Sequence, residues 1–217
     1  MPAEIKFCGL TRRDDAEYAA TLGASYVGVI FAGGPRHLTL ENASNVLAGV
    51  PRDVRRVGVF ADQTPDDIAR SASELRLDVV QLHGAASTAR IEAIRASFHG
   101  KIWSVCRVAE PPLPADVAEL AGLCDGIVLD SYVRGTLGGT GVTMAWSALS
   151  EDVDRIRPDM RLFVLAGGLR PENVARAIAT LTPHVVDVSS GVESAPGIKD
   201  HDRMRAFRDA VAALDSK

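Results

Sequence analysis

Reactive side chains stand at the ends of short apolar runs in this chain, and their types suit proton transfer beside a bound anion. Cys8 closes the run IKFC and is followed by Gly9. Period-2 alternation places Lys6 and Cys8 on one face, with Ile5 and Phe7 on the other. A neighbouring ammonium favours the thiolate, the form that a base or nucleophile needs. A small buried hydrophobe is the other reading of a free cysteine. Asp130 ends the run GIVLD. Partial desolvation raises a carboxyl pKa and makes such a residue a candidate general acid, whereas a helix cap or loop aspartate is the plainer alternative. Two glycine-bearing turns, Ala166-Gly167-Gly168-Leu169 and Ser189-Ser190-Gly191-Val192, let backbone N–H groups approach an anion closely. Arg36, in GGPRHLT, is either a solvated arginine or a bidentate partner for a substrate carboxylate. The candidate substrate contacts are Lys6, Arg36, His83, Gly167, Gly168, Asp187, Ser189, Ser190 and Gly191. Among them, His83 also reads as a satisfied polar residue, and Asp187 as a supporting group on the same face as Ser189. A glycine-rich stretch, Arg134 to Gly141, follows Asp130 and suits close approach to a phosphate or a flat ring. Cys106 and Cys124 read as packing residues. His37, His99, His184 and His201 lack metal-ligand spacing with one another or with the cysteines, so no metal site is expected.

These residues need elements to position them. Eight runs rich in Val, Ile and Phe recur at 5–8, 26–31, 55–60, 77–82, 101–105, 125–130, 161–166 and 184–189. Each is too short for a helix and suits a strand. Helical start signals lie between them. Thr11 with Asp14 opens RRDDAEYAATLG, Gly23 closes it, Thr64-Pro65-Asp66-Asp67 opens another segment, and Pro171-Glu172-Asn173 opens VARAIATL. The tail HDRMRAFRDAVAAL repeats apolar residues at three and four. One strand recurs about every 27 residues, the length of a βα unit, which implies a parallel sheet. The proline-rich AEPPLPADV falls where a βα loop belongs, so 1–217 reads as one domain. The expected fold is α/β, a single-domain (β/α)8 TIM barrel, with the reactive residues at its C-terminal mouth and the phosphate turns after strands seven and eight. An open doubly wound sheet is the competitor, but no G-x-G-x-x-G follows the first strand.

With 217 residues, 47% hydrophobic, the chain can bury a large core. Twenty-four basic and 28 acidic residues give a net charge of −4, no footprint for nucleic acid or an anionic membrane. No apolar run reaches the ~18 residues of a membrane span, and three scattered cysteines make no disulfide framework. A cytoplasmic protein is expected, with a small phosphorylated molecule as ligand and either a monomeric or a homodimeric state.

Taken in order, KFCGLT (6–11), GVIFAGGPRH (28–37), VGVFAD (57–62), VVQLHG (79–84), LD (129–130), LGGTGVT (137–143), LAGGL (165–169) and DVSSGVE (187–193), with PGIKD (196–200), resemble the phosphoribosylanthranilate isomerase family over essentially the whole chain. The resemblance implies a (β/α)8 barrel and an Amadori rearrangement in tryptophan biosynthesis, without cofactor or metal. It implies that Cys8 is the general base, Asp130 the general acid, the strand-seven and strand-eight turns the phosphate site, and Arg36 the contact for the anthranilate carboxylate. Two features depart from the family pattern: the short Ala32-Gly33-Gly34 before Pro35-Arg36, and Asp62 where an asparagine is frequent. The histidine-pathway isomerases of similar chemistry carry an aspartate base at strand one, where this chain has Cys8. A metal-dependent phosphosugar epimerase needs a His/Asp ligand set that is not visible. A catalytically silent barrel acting as a scaffold is set against the retained Cys8 and Asp130.

Overall fold

Alternation of inward and outward side chains along eight strands builds the molecule. The computed structural model describes residues 3–84, 86–108, 111–131 and 146–214. Strands β1 (Glu4–Phe7), β2 (Tyr26–Ile30), β3 (Arg55–Phe60), β4 (Val79–Leu82), β5 (Lys101–Val108), β6 (Gly126–Ser131), β7 (Phe163–Leu165) and β8 (Val185–Val188) form a closed barrel in sequence order. All neighbours are parallel, and β1 pairs with β8 to shut the seam, Lys6 opposite Asp187. Helices α1 (Arg13–Thr21), α2 (Leu40–Leu47), α3 (Pro65–Leu75), α4 (Thr88–Arg95), α5 (Val117–Leu123), α6 (Trp146–Ile156), α7 (Val174–Leu181) and α8 (His201–Ala212) alternate with the strands. The expected (β/α)8 barrel is the observed one.

Two apolar layers follow from the alternation. Outward residues such as Phe7, Val27, Val29, Phe60 and Leu129 join the helix faces in the larger core. Inward residues Tyr26, Val57, Val79, Trp103, Val128, Val164 and Val185 fill the lower barrel. Trp103 fits there because position 126 is glycine: a Cβ on Gly126 would lie 2.8 Å from the indole. The Tyr26 and Trp103 rings meet edge to face at 5.0 Å.

Side-chain caps mark the starts of α2, α3, α4 and α8. Thr39, Thr64 and Ser87 accept from the backbone N–H three residues on, and Asp200 accepts from Asp202 and Arg203 at the start of α8. One expected start differs. Thr11 does not cap α1; Arg12 holds that position without a side-chain bond, because the Thr11 hydroxyl donates to the Gly197 carbonyl instead. Pro171 to Asn173 form the turn before α7, where Asn173 accepts from the Arg170 N–H and donates to the Gly168 carbonyl. β3 matches its expected run, and the other strand limits move by up to three residues, since a run such as KIWSV continues through Cys106, Arg107 and Val108. A hairpin of β9 (Glu193–Ala195) and β10 (Ile198–Lys199) was not foreseen; its Pro196-Gly197 turn, with Gly197 at φ +82°, is the signal that marks it. Positions 132–145, which include the glycine-rich stretch after Asp130, lie outside the described residues, as do Ala109 and Glu110 of the proline-rich βα loop. No helix among the described residues is long and apolar enough to cross a membrane.

The last helix is fastened to the first strand by Phe207, fully buried, whose ring meets Phe7 edge-on at 6.2 Å. Phe207→Ala is expected to cost roughly 3–5 kcal/mol of unfolding free energy, read as a lower urea midpoint at unchanged slope. A loss under about 1 kcal/mol would contradict this docking.

Candidate active site

Cys8 sits one residue past β1, Asp130 on β6 and Ser189 one residue past β8, all at the C-terminal rim. Their inward directions converge on one cavity, lined by Cys8, Ile30, Arg36, Val59, Gln81, His83, Asp130, Ala166 to Leu169, Asp187 and Ser189 to Gly191. The structure thus brings together every candidate residue except one. Lys6 is wholly buried and does not line the cavity. Its ammonium lies below the cavity, donating to Asp187 Oδ2 at 2.6 Å and Gln81 Oε1 at 3.0 Å. A direct contact from Lys6 to a ligand is therefore not what this geometry offers.

Room for the thiol comes from Gly28 on β2, where a Cβ would stand 2.9 Å from Cys8 Sγ. The electrostatics around that thiol are opposed. Burial pushes the Cys8 pKa up, Lys6 pulls it down, and Asp187 adds to the rise; the net is a thiol above its ordinary value. The sequence correctly placed Lys6 beside Cys8 but not the carboxylate that offsets its charge. Burial likewise opposes the charge on Lys6, yet Asp187 and Cys8 more than offset it and hold the ammonium above the usual lysine range.

His83 lies one residue past β4, and desolvation, with the charges of Arg107 and Lys6 adding to it, brings its pKa down to about 4. It is therefore neutral at pH 7. Its Nε2 stands 3.9 Å from Asp130 Oδ2, beyond hydrogen-bond reach. Cys106 and Cys124 are buried, their thiols pushed up to about 12 and about 11, chiefly by burial. They are packing residues.

The turns after β7 and β8 interlock. Gly167 and Gly168 have φ of +86° and +65°, open to glycine at little cost. A Cβ on Gly191 would lie 1.8 Å from the Leu169 carbonyl oxygen, so the two turns meet only because that residue is glycine. Ser189 Oγ and Asp187 Oδ1 are buried without a hydrogen-bond partner, and both residues belong to the cavity wall. No group of His, Cys, Asp or Glu among the described residues is arranged to hold a metal.

Arg36 is held by a residue that the sequence reading passed over. Its Nε and Nη2 donate to the two Glu193 oxygens at 2.8 and 2.6 Å. Lys199 joins them, donating to Glu193 at 2.8 Å, the Cys8 carbonyl at 2.7 Å and the Ser189 carbonyl at 3.0 Å. Both residues lie in the stretch EXXXXXK of the β9–β10 hairpin, which the motif DVSSGVE…PGIKD already spans.

The chain is similar to known proteins along most of its length. A family model described as N-(5'-phosphoribosyl)anthranilate (PRA) isomerase matches residues 5–210. A Pseudomonas fluorescens protein named N-(5'-phosphoribosyl)anthranilate isomerase is 37% identical over 207 residues, 95% of this chain and 97% of that one. One of the same name from Paramagnetospirillum magneticum is 40% identical over 214 residues, 95% and 96% of the two chains. Among solved structures, phosphoribosyl anthranilate isomerase from Thermotoga maritima superposes with a TM-score of 0.85 at 34% identity, covering 98% of this chain and all of that one. Another, in complex with reduced 1-(o-carboxyphenylamino)-1-deoxyribulose 5-phosphate, gives 0.81 at 32% identity with the same coverage.

A thiol raised by burial makes a specific forecast. Alkylation of Cys8 by iodoacetamide, followed by peptide mass spectrometry to separate it from Cys106 and Cys124, should quicken with pH and not level off below about 8.5, the ordinary thiol value. Lys6→Met should move the curve further up. A plateau near neutrality would mean that the ammonium, not desolvation, governs the thiol.

Proposed function

Since the chain belongs to the N-(5'-phosphoribosyl)anthranilate isomerase family, we propose that it converts N-(5-phosphoribosyl)anthranilate to 1-(2-carboxyphenylamino)-1-deoxyribulose 5-phosphate in tryptophan biosynthesis, with Cys8 as general base and Asp130 as general acid. The observation that carries the residue roles is the meeting of Cys8, Asp130 and both glycine turns in one cavity. Asp130 gives its proton to the ribose ring oxygen, and the C1′–O bond breaks to leave a protonated imine. Cys8 then takes the C2′ proton, and the electron pair of that C–H bond moves to neutralise the imine nitrogen as an enolamine. Tautomerisation of the enolamine gives the ketone. Protons and electron pairs balance within the substrate and these two groups, so the chemistry calls for no redox partner.

The remaining wall residues fall into binding roles. Gly167, Gly168, Ser189, Ser190 and Gly191 cradle the 5-phosphate through backbone N–H groups, with Ser189 Oγ available to it. Asp187 Oδ1 and neutral His83 face the sugar, whose hydroxyls are donors and acceptors that suit both. Arg36 takes the anthranilate carboxylate. Asp130 must hold a proton when the ring opens, and the phosphate and carboxylate brought into the same cavity favour the protonated carboxyl. As for assembly, one related Thermotoga maritima structure is described as monomers of a dimeric enzyme, in keeping with the monomer-or-homodimer reading for this chain.

The test is loss of phosphoribosylanthranilate fluorescence on adding the purified chain. Cys8→Ser and Asp130→Asn should each lower kcat by at least ~10²-fold, while affinity for the reduced product analogue stays within a few-fold. Because the thiol stands above its ordinary value and only the thiolate accepts a proton, kcat/KM should rise with pH across neutrality. Turnover near the parent level in either variant would reject that residue's role.

A further inference from the structure

The hairpin β9–β10 carries two buried charges that the mechanism does not use. Glu193 receives two hydrogen bonds from Arg36 and one from Lys199, so two cations share one carboxylate. All three of the hydrogens on the Lys199 ammonium are committed, to Glu193 and to the Cys8 and Ser189 carbonyls. The next carboxylate, Asp15, is turned away: it accepts from the Lys199 backbone N–H and faces His201 and Arg12. The surplus positive charge therefore resides on Arg36, which borders the cavity.

Guanidinium geometry says which donors remain. Glu193 occupies the edge made by Nε and Nη2. The planar fork has five N–H groups, and the terminal Nη1–Nη2 edge is a second two-point site for a carboxylate. No described residue accepts from Nη1. The arginine stem is fixed as well, since it crosses Gly9, where a Cβ would come within 2.5 Å of Arg36 Cδ. Burial opposes the charge on Glu193, but Arg36 and Lys199 keep its carboxyl below the usual range, so it is an anion throughout the neutral region.

We propose that Glu193 is a positioning residue for Arg36: by holding one edge of the guanidinium it presents the terminal edge to a carboxylate on the substrate's aromatic ring, and so sets the preference for a carboxylated over a plain ring. This rests on the reading of Arg36 given above. Lys199 serves the same device, keeping Glu193 in place while pinning the ends of β1 and β8 that carry Cys8 and Ser189.

The preference is measurable with two inhibitors, the reduced product analogue and its phenylamino counterpart without the carboxylate. The parent enzyme should bind the carboxylated compound at least about 10-fold tighter, as expected of a charge-assisted pair. Glu193→Gln should cut that ratio at least about fivefold, raise KM accordingly, and leave kcat and the affinity for the carboxylate-free compound within about threefold. General loosening of the fold would weaken both inhibitors alike and leave the ratio intact, and that result overturns the proposal. Arg36→Met separates the two levels of inference. If it leaves the ratio unchanged, the Arg36 reading itself fails; if it abolishes the ratio while Glu193→Gln does not alter it, only the role of Glu193 fails. Should Glu193→Gln not fold, Glu193→Asp keeps the charge but breaks the two-point geometry, and its ratio is read in the same way.

Discussion

The ion pair between Lys6 and Asp187 lies across the seam where β1 meets β8, at facing positions of the ladder that closes the barrel. Both groups are inside, where an isolated charge is costly and removal of one partner strands the other. The arrangement is tolerated because each group is paired: the ammonium donates to Asp187 and Gln81. Strand order brings these three residues together, on β1, β8 and β4. Nothing local in the sequence does so. Below this layer the barrel is filled by Tyr26, Trp103 and a ring of valines. Above it lies the cavity. The pair is the boundary between the part of the barrel that packs and the part that does chemistry.

A second set of charges performs the same service at the rim. Glu193 and Lys199 tie the hairpin to Arg36 and to the carbonyls of Cys8 and Ser189. Two strand ends, one βα loop and the segment before α8 are thereby fixed by groups that are themselves buried. Loops carry function well when a rigid scaffold positions them. Here the scaffold extends beyond the strands through these few charge-assisted bonds, so the rim residues inherit the rigidity of the barrel.

Much of this was legible along the chain. Eight short apolar runs at βα spacing, with reactive residues at their ends, gave the barrel and most of the cavity wall, since period-2 alternation is a local property. That placed Cys8, Asp130, Arg36 and the glycine turns at the rim, while their expected roles came from the family resemblance. Glu193 and Lys199 were not legible, because ESAPGIK reads as a polar loop and the Arg36 partner is 157 residues away. Asp187 was read as a supporting group on the Ser189 face, but its ion-pair partner was not legible for a similar reason: Lys6 is 181 residues distant. Thr11 misled because its position before acidic residues matches a capping box, while its hydroxyl is taken by Gly197.

The opposed fields around Cys8 bear on the order of the proposed steps. A thiol raised by burial is a poor base until something favours its anion, but the thiolate, once formed, is a stronger base for having been raised. Ring opening supplies that condition. When the acid breaks the C1′–O bond, a positive imine appears next to the carbon that must lose its proton. An opposite charge beside a desolvated thiol favours the thiolate. In the proposed order the thiolate therefore becomes more populated, its proton passing to water, once the target proton has become acidic, and before ring opening Cys8 remains largely protonated. Had Lys6 stood without Asp187, the thiolate would already be stabilised in the resting enzyme, and its basicity would be lower when it was needed. In the proposed mechanism, desolvation balanced by a paired lysine ties the second proton transfer to the first.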